Sequence, residues 1–305
     1  MVSVIMNGHN AEEYLQEAID SVLNQTYVNF EVVFFDNCST DSTKKIVESY
    51  SDSRIKYFYS SDFLVLGDAR NQAIKHSKGD LIAFLDCDDL WLPRKLELQV
   101  PLFDNKKIGI VISDTIFFDH IKDRSQLFKS VKPPTGKVFR ELILNYCISL
   151  ETAVVRKSAL DSMDHWFDPE FNMIEEYDLF LRMAYDWELG FVDSVLAKWR
   201  MHDSSWTWSK SALFPKERKL MLDKFKRTMP NFTEDNYYDE LRMLQRSIDW
   251  DIARIHWKQG ERGKARKLIA IYKYDRFKWF ILWLFAWMPY FVFNTMSKIL
   301  GKVNP

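Results

Sequence analysis

The chain has 305 residues, of which 47% are apolar and 28% charged, and its formal net charge is −1. That is a globular composition with room for one large domain or two smaller ones, and it argues against a basic nucleic-acid binder. The three cysteines, Cys38, Cys87 and Cys147, are odd in number and lack metal-site spacing, which fits free thiols in a reducing compartment.

Met1-Val2-Ser3-Val4-Ile5-Met6 has neither a basic n-region nor a long apolar h-region, so it reads as a first strand rather than a signal peptide. The turn-like Asn7-Gly8-His9-Asn10 follows. Tyr14, Leu15, Ala18, Ile19, Val22 and Leu23, at helical spacing, predict a helix over 11–24. A second apolar strand over 30–35 runs into Asp36-Asn37-Cys38-Ser39-Thr40-Asp41, and Asp41 or Ser42 can cap a helix over 43–50. A third strand at 55–59 and a helix at 67–77 lead to LIAFLDCDDLW at 81–91. Its five leading apolar residues read as a strand buried on both faces, with Asp86, Asp88 and Asp89 emerging at the end. A helix over 93–102 completes four strand–helix alternations, the pattern of a doubly wound parallel sheet.

No GxGxxG follows the first strand, so a dinucleotide site is not expected. Polar loops after each strand gather instead at the sheet's carboxyl edge, where open α/β sheets bind ligands. Three carboxylates there repel one another unless a cation is present. Carboxylate oxygen suits Mg²⁺ or Mn²⁺, which share their coordination with substrate phosphates. Taken alone, the acids also fit a solvated turn or a helix N-cap.

In the second half, Glu175, Glu176 and Asp178 precede the apolar Leu179, Leu181, Met183 and Ala184. This places the acids at a helix N-terminus, where the dipole alone would stabilise them. Trp199-Arg200-Met201-His202 puts a histidine after a strand, and the polar, aromatic stretch 204–210 reads as a loop able to close and exclude water. All tryptophans but Trp91 lie beyond Asp164, which fits carbohydrate stacking or an interfacial role.

From Phe214 onward, helices are predicted at 220–225, 237–259 and 263–272, the last two joined at Gly260. Nine Lys or Arg between Arg254 and Lys278 face only Glu261 and Asp275, and the fifteen residues Trp279–Phe293 then carry no charge. A bilayer span needs about 20 apolar residues, and Pro289 interrupts this run. A basic stretch followed by an aromatic one predicts an interfacial anchor on anionic lipid over 254–300. The alternatives are a span extended through Leu300 and a buried core helix.

Taken in order, VSVIMNGHNAEEYLQEAIDSVLNQTYVNFEVVFFDNCSTDST, GDARNQAIKHSKGDLIAFLDCDDLWLPRKLELQ, FDPEF, IEEYDLFLR and WRMH resemble the inverting family-2 glycosyltransferases of the GT-A fold. The resemblance covers roughly two thirds of the chain. It implies a GT-A nucleotide-diphospho-sugar transferase fold, with the nucleotide-sugar half at 1–105, the acceptor half at 106–212, and a helical, membrane-associating region at 213–305. By resemblance, Asn7, His9 and Asn10 contact the donor nucleoside. Asn37 stands where many members read uracil with Asp. Its carbonyl can still accept the base N3–H, so pyrimidine recognition survives while the preference for uridine is open. Arg70 is placed toward the donor phosphates, although a surface salt bridge explains it as well. Asp86 is expected on the ribose, the donor sugar or the metal, Asp88 and His202 on Mn²⁺ or Mg²⁺, and Asp89 on the sugar or the metal's water shell. Where the family carries its Asp base this chain has Glu176, with Glu175 or Asp178 as fallback, and Asp168 is expected to be structural.

The reaction implied is metal-dependent and inverting. A sugar would pass from a nucleotide diphosphate donor, UDP-linked by expectation, to a hydroxyl of a cell-surface glycan or lipid-linked saccharide. The enzyme would lie in the cytoplasm, peripheral to the inner face of the membrane. Two other readings stand beside this one. The first is a non-catalytic glycan- or membrane-binding scaffold, kept open by Glu176 and Asn37. The second is a sugar nucleotidyltransferase, which would want a glycine-rich basic loop that Asn7 to Asn10 do not supply.

Overall fold

The computed structural model describes residues 1–119, 124–127, 132–202, 210–275 and 277–299. The chain divides into two compact units, Met1–Ser205 and Trp206–Pro305.

The first unit begins with strands β1 (Val2–Gly8), β2 (Phe30–Asn37), β3 (Ile55–Ser60) and β4 (Leu81–Phe84). They alternate with helices α1 (Leu15–Leu23), α2 (Thr43–Glu48) and α3 (Leu66–Lys75). Every residue of β2 and β4 is buried, which is why their sequences are unbroken apolar runs rather than alternating ones. These four strands pair in parallel in the order β3-β2-β1-β4. Helix α1 starts later than its apolar spacing predicts. The N–H groups of Ala11 and Glu12 are taken by Thr43 Oγ1 (2.8 Å) and Asp41 Oδ2 (3.0 Å), which hold 11–14 in a turn.

Past β4 the chain adds β5 (Leu90–Trp91), α4 (Lys95–Gln99), β6 (Ile108–Asp119), β7 (Arg124–Leu127) and α5 (Phe139–Leu144). Then come β8 (Val154–Arg156), α6 (Lys157–Asp161), α7 (Glu175–Asp186) and β9 (Glu188–Arg200). The sheet continues β4-β8-β6-β9-β5, with β7 on β6. Strand β8 runs antiparallel to both neighbours, whereas β6 and β9 are parallel. The doubly wound parallel pattern therefore holds through β4, and the sheet becomes mixed beyond it. The helix expected over 93–102 shortens to α4 and passes into a 3-10 turn at Val100–Asp104, where Pro101 has no N–H to give.

Two features position the functional loops. Strands β1, β2 and β4, being parallel, deliver the loops after Gly8, Asn37 and Phe84 to one edge. Strand β5 pairs with the end of β9 (Leu90 with Lys198, Trp91 with Ala197), so residues 86–89 lie against residues 200–202. Beneath them, Ser3 Oγ donates to Glu31 Oε1 (2.6 Å) and accepts from the Gly79 N–H (2.8 Å). A Cβ at Gly79 would sit 2.6 Å from the Ser3 nitrogen, so only glycine fits.

The second unit contains α8 (Phe214–Thr228), α9 (Glu234–Lys258), α10 (Arg262–Ala270), α11 (Phe277–Phe285) and α12 (Tyr290–Ile299). Gly260 turns the chain between α9 and α10 at φ +81°, a conformation that costs glycine little. Trp250, Trp257, Tyr272, Trp279, Leu282 and Phe293 form this unit's core. The uncharged run 279–293 is thus split between α11 and α12. Among the described residues, no helix is long and apolar enough to cross a membrane.

Candidate active site

The aspartates after β4 have three different fates. Asp88 keeps 38% of its side chain exposed and meets His202 Nε2 at 2.9 Å through Oδ2, a contact that raises the imidazole pKa. Asp89 is 2% exposed and turns inward, accepting the backbone N–H of Arg200 at 2.8 Å. Burial pushes its carboxyl well above the usual range. Asp86, the third, is held by Arg70 Nη2 at 2.9 Å.

Arg70 is not a surface residue. It is 3% exposed and joins two carboxylates from distant segments, Asp86 and Glu175 Oε1 (2.5 Å). Its guanidinium is thereby shared between the loop after β4 and the start of α7. Glu175 is buried, and its Oε2 has no hydrogen-bond partner. Asp178 is fully buried and pairs with Arg182 at 2.6 Å. Both acids are thus paired with arginines. Glu176 alone of the three is partly exposed. Burial, and after it the charge of Glu175, push its pKa up to about 8 against a partial opposing pull from Arg70. Beside it, the Tyr146 hydroxyl is buried without a partner, and burial raises its pKa well above normal.

On the β1–β2 side, His9 Nδ1 lies 2.8 Å from the Asn37 carbonyl, and Asn10 Oδ1 accepts from the Thr40 N–H (2.8 Å). Asn7, partly exposed, takes the Cys87 thiol on its carbonyl (3.3 Å). Asn37 is 4% exposed, and both ends of its amide are committed to Leu64: Nδ2 donates to the Leu64 carbonyl and Oδ1 accepts the Leu64 N–H, each at 2.9 Å. The side chain therefore ties down the loop after β3. Asp168, expected to be structural, accepts the Glu170 N–H (2.9 Å) in a turn.

Several residues escaped the sequence reading. Arg200, 2% exposed, donates from Nε to the Asp88 carbonyl (2.7 Å) and from Nη2 to Glu17 Oε2 (2.9 Å). Behind Asp89, Glu151 is buried with a raised pKa. Lys95, fully buried, donates to Gln99 Oε1 (2.6 Å), and burial lowers its pKa to about 7. Nothing in PRKLELQ distinguishes Lys95 from a solvated helix face. Arg200 sat inside a motif noticed only for its histidine.

Among the described residues, no group of three or more His, Cys, Asp or Glu is set to hold a metal ion, and Asp88 and His202 stand as a pair. The pair offers one carboxylate oxygen and one imidazole nitrogen. That donor set fits Mn²⁺ or Mg²⁺ when phosphate oxygens and water fill the remaining positions.

This arrangement, polar loops at the carboxyl edge of a sheet that turns from parallel to mixed, is that of a GT-A-type α/β fold. The profile described as "Glycosyl transferase family 2" matches residues 3–163. WfgD of Escherichia coli, described as a UDP-Glc:alpha-D-GlcNAc-diphosphoundecaprenol beta-1,3-glucosyltransferase, is 33% identical over 207 residues, 67% of this chain and 79% of that protein. The S. aureus TarS 1-349 structure in complex with UDP-GlcNAc has a TM-score of 0.69 at 22% identity, covering 89% of this chain and 80% of that one. The mannosyltransferase PcManGT from Pyrobaculum calidifontis, in complex with GDP-Man and Mn2+, has a TM-score of 0.63 at 17% identity, covering 89% and 74%. The chain belongs to glycosyl transferase family 2, and it is an enzyme of glycosyl transfer.

Proposed function

We propose that the enzyme moves a sugar from a UDP-linked donor to a hydroxyl of a lipid-linked saccharide, with inversion at the transferred carbon. The observation that carries this reading is the Arg70 bridge, which brings the loop of donor aspartates and the acidic start of α7 within the reach of one guanidinium. Glu176, the partly exposed acid there, takes the proton from the acceptor hydroxyl as its oxygen attacks C1 of the donor sugar. Asp88 and His202 would hold Mn²⁺ or Mg²⁺, and the cation would supply charge neutralisation for the leaving diphosphate. Asp86, fixed by Arg70, faces the ribose or sugar. With the Asn37 amide committed to Leu64, the nucleoside is left to Asn7, His9, Asn10 and the backbone of these loops. The UDP-linked substrate in the WfgD name and the UDP-GlcNAc bound to TarS support the choice of donor, and the diphosphoundecaprenol in the WfgD name supports a lipid-linked acceptor.

The second unit is proposed to rest on the cytoplasmic face of an anionic membrane. Phe277, Trp287 and Phe291 are 79%, 57% and 69% exposed. Cations lie over the neighbouring rings, with Arg266 4.0 Å from Trp287 and Lys273 5.2 Å from Trp283. Exposed aromatics mixed with basic side chains suit the headgroup layer.

The decisive test is a thermal-shift panel of UDP, GDP, CDP and dTDP with and without Mn²⁺, followed by transfer from UDP-glucose to a lipid-linked acceptor. Metal-dependent stabilisation by UDP that disappears in Asp88→Ala is expected, since a ligand of the folded state raises apparent stability by mass action. A well-folded protein that no nucleotide stabilises would overturn the donor site and favour the scaffold.

A further inference from the structure

We propose that Arg200 is a positioning residue that fixes the separation of Asp88 from His202 and so sets the affinity of that pair for a divalent cation in the presence of a nucleoside diphosphate. The inference rests on the donor-site reading above and concerns a residue outside the contact surface of that site.

Three bonds staple residues 88–89 to residues 200–202. The Arg200 N–H donates to Asp89 Oδ1 (2.8 Å), Arg200 Nε donates to the Asp88 carbonyl (2.7 Å), and His202 Nε2 meets Asp88 Oδ2 (2.9 Å). The first two involve no atom that a ligand would touch, yet they fix the backbone from which Asp88 projects. The guanidinium itself is wedged between rings, 4.3 Å from Tyr14 and 4.6 Å from Phe118, and reaches Glu17 on α1. At the far side of the wedge, Tyr14 lies 5.4 Å from the His202 ring. One side chain therefore touches the backbone of one member of the pair and the ring that packs on the other.

The energetics argue against stabilisation as the whole role. Burying a guanidinium costs desolvation that a single ion pair repays poorly, and apolar replacements of such pairs are often neutral or better. Here the partner Glu17 is 51% exposed, and Arg200 Nη1 is buried with no hydrogen-bond partner. What the arginine supplies in return is geometry, because outer residues that orient the groups bound to a metal commonly change its affinity.

The test measures Mn²⁺ binding directly, by the loss of the free-ion electron paramagnetic resonance signal with saturating UDP, well below the melting temperature of every protein compared. Arg200→Met is expected to weaken Mn²⁺ binding by ~10–100-fold and to raise the Mn²⁺ concentration needed for half-maximal transfer, with activity recovering at excess Mn²⁺. Arg200→Lys, which restores one donor, is expected to fall between Arg200→Met and wild type. Glu17→Gln leaves the bond to Asp88 and is expected to lower stability while keeping wild-type Mn²⁺ affinity. If Arg200→Met does not fold, Arg200→Gln replaces it under the same criterion. A folded variant that binds Mn²⁺ as wild type does overturns the positioning role alone. Failure of the wild type to bind Mn²⁺ with UDP instead overturns the donor site, and this inference with it.

Discussion

At the scale of single residues, Glu176 makes the sharpest predictions. A carboxyl with a pKa of about 8 is mostly protonated at neutral pH, so transfer should rise with pH along a limb centred near that value. Glu176→Gln should cost about 10²–10⁴-fold in kcat, the usual contribution of a general base, with donor binding retained. Glu175→Gln should move the limb toward lower pH. It removes the neighbouring charge that raises Glu176 and frees Arg70 to lower it further. Stability carries the same signature. Glu176 is raised from 4.5, so its protonated form favours the fold below pH 4.5, and that contribution is lost as pH rises through about 8. Denaturant melts of wild type and Glu176→Gln across pH 5–9 should therefore diverge on the alkaline side. At this scale the sequence named the carboxylates but not their fates. DxDD gives no sign that its last member turns inward, because the partner that draws it, the Arg200 N–H, is supplied 111 residues later. Asn37 misleads for a similar reason. An amide that could read a base is indistinguishable in sequence from one that clamps a backbone 27 residues away.

At the scale of elements, the first four strands were legible, and the helix ends and most strands past β4 were not. Apolar runs at 30–35 and 81–85 announce strands covered on both faces, and β2 and β4 are buried throughout. The first N–H groups of a helix have no partner within it, so their partners come from elsewhere in the chain. Thr43 and Asp41 take those of Ala11 and Glu12, and no spacing rule contains those partners. The antiparallel insertion of β8 between β4 and β6 was equally hidden, since three residues, Val154–Arg156, carry too little pattern to be noticed. The close approach at Gly79 gives a prediction of its own. Gly79→Ala should destabilise the first unit by about 1–3 kcal/mol, the usual cost of overpacking. Urea denaturation would read this as a lower midpoint at unchanged slope.

At the scale of the whole molecule, the chain joins a sheet-based unit to a helical one, and the second carries its own test. Trp287→Ser with Phe291→Ser should lower partition onto vesicles containing anionic lipid by about tenfold or more. Sedimentation with phosphatidylglycerol vesicles measures it, and unchanged binding would remove these rings from the interface. The uncharged run 279–293 was visible in sequence, but its division was not: Trp279, Leu282 and Phe293 go to the core while Phe280, Leu284 and Phe291 stay outside. The Arg70 bridge also bears on how such an enzyme can change over generations. Residues 70, 86 and 175 share one charge balance, Arg70 and Glu175 buried and Asp86 36% exposed, although 105 positions separate the arginine from Glu175. Loss of Arg70 or Glu175 breaks the buried pair, at a cost of about 3–5 kcal/mol. A substitution at either buried position therefore calls for a compensating one at the other.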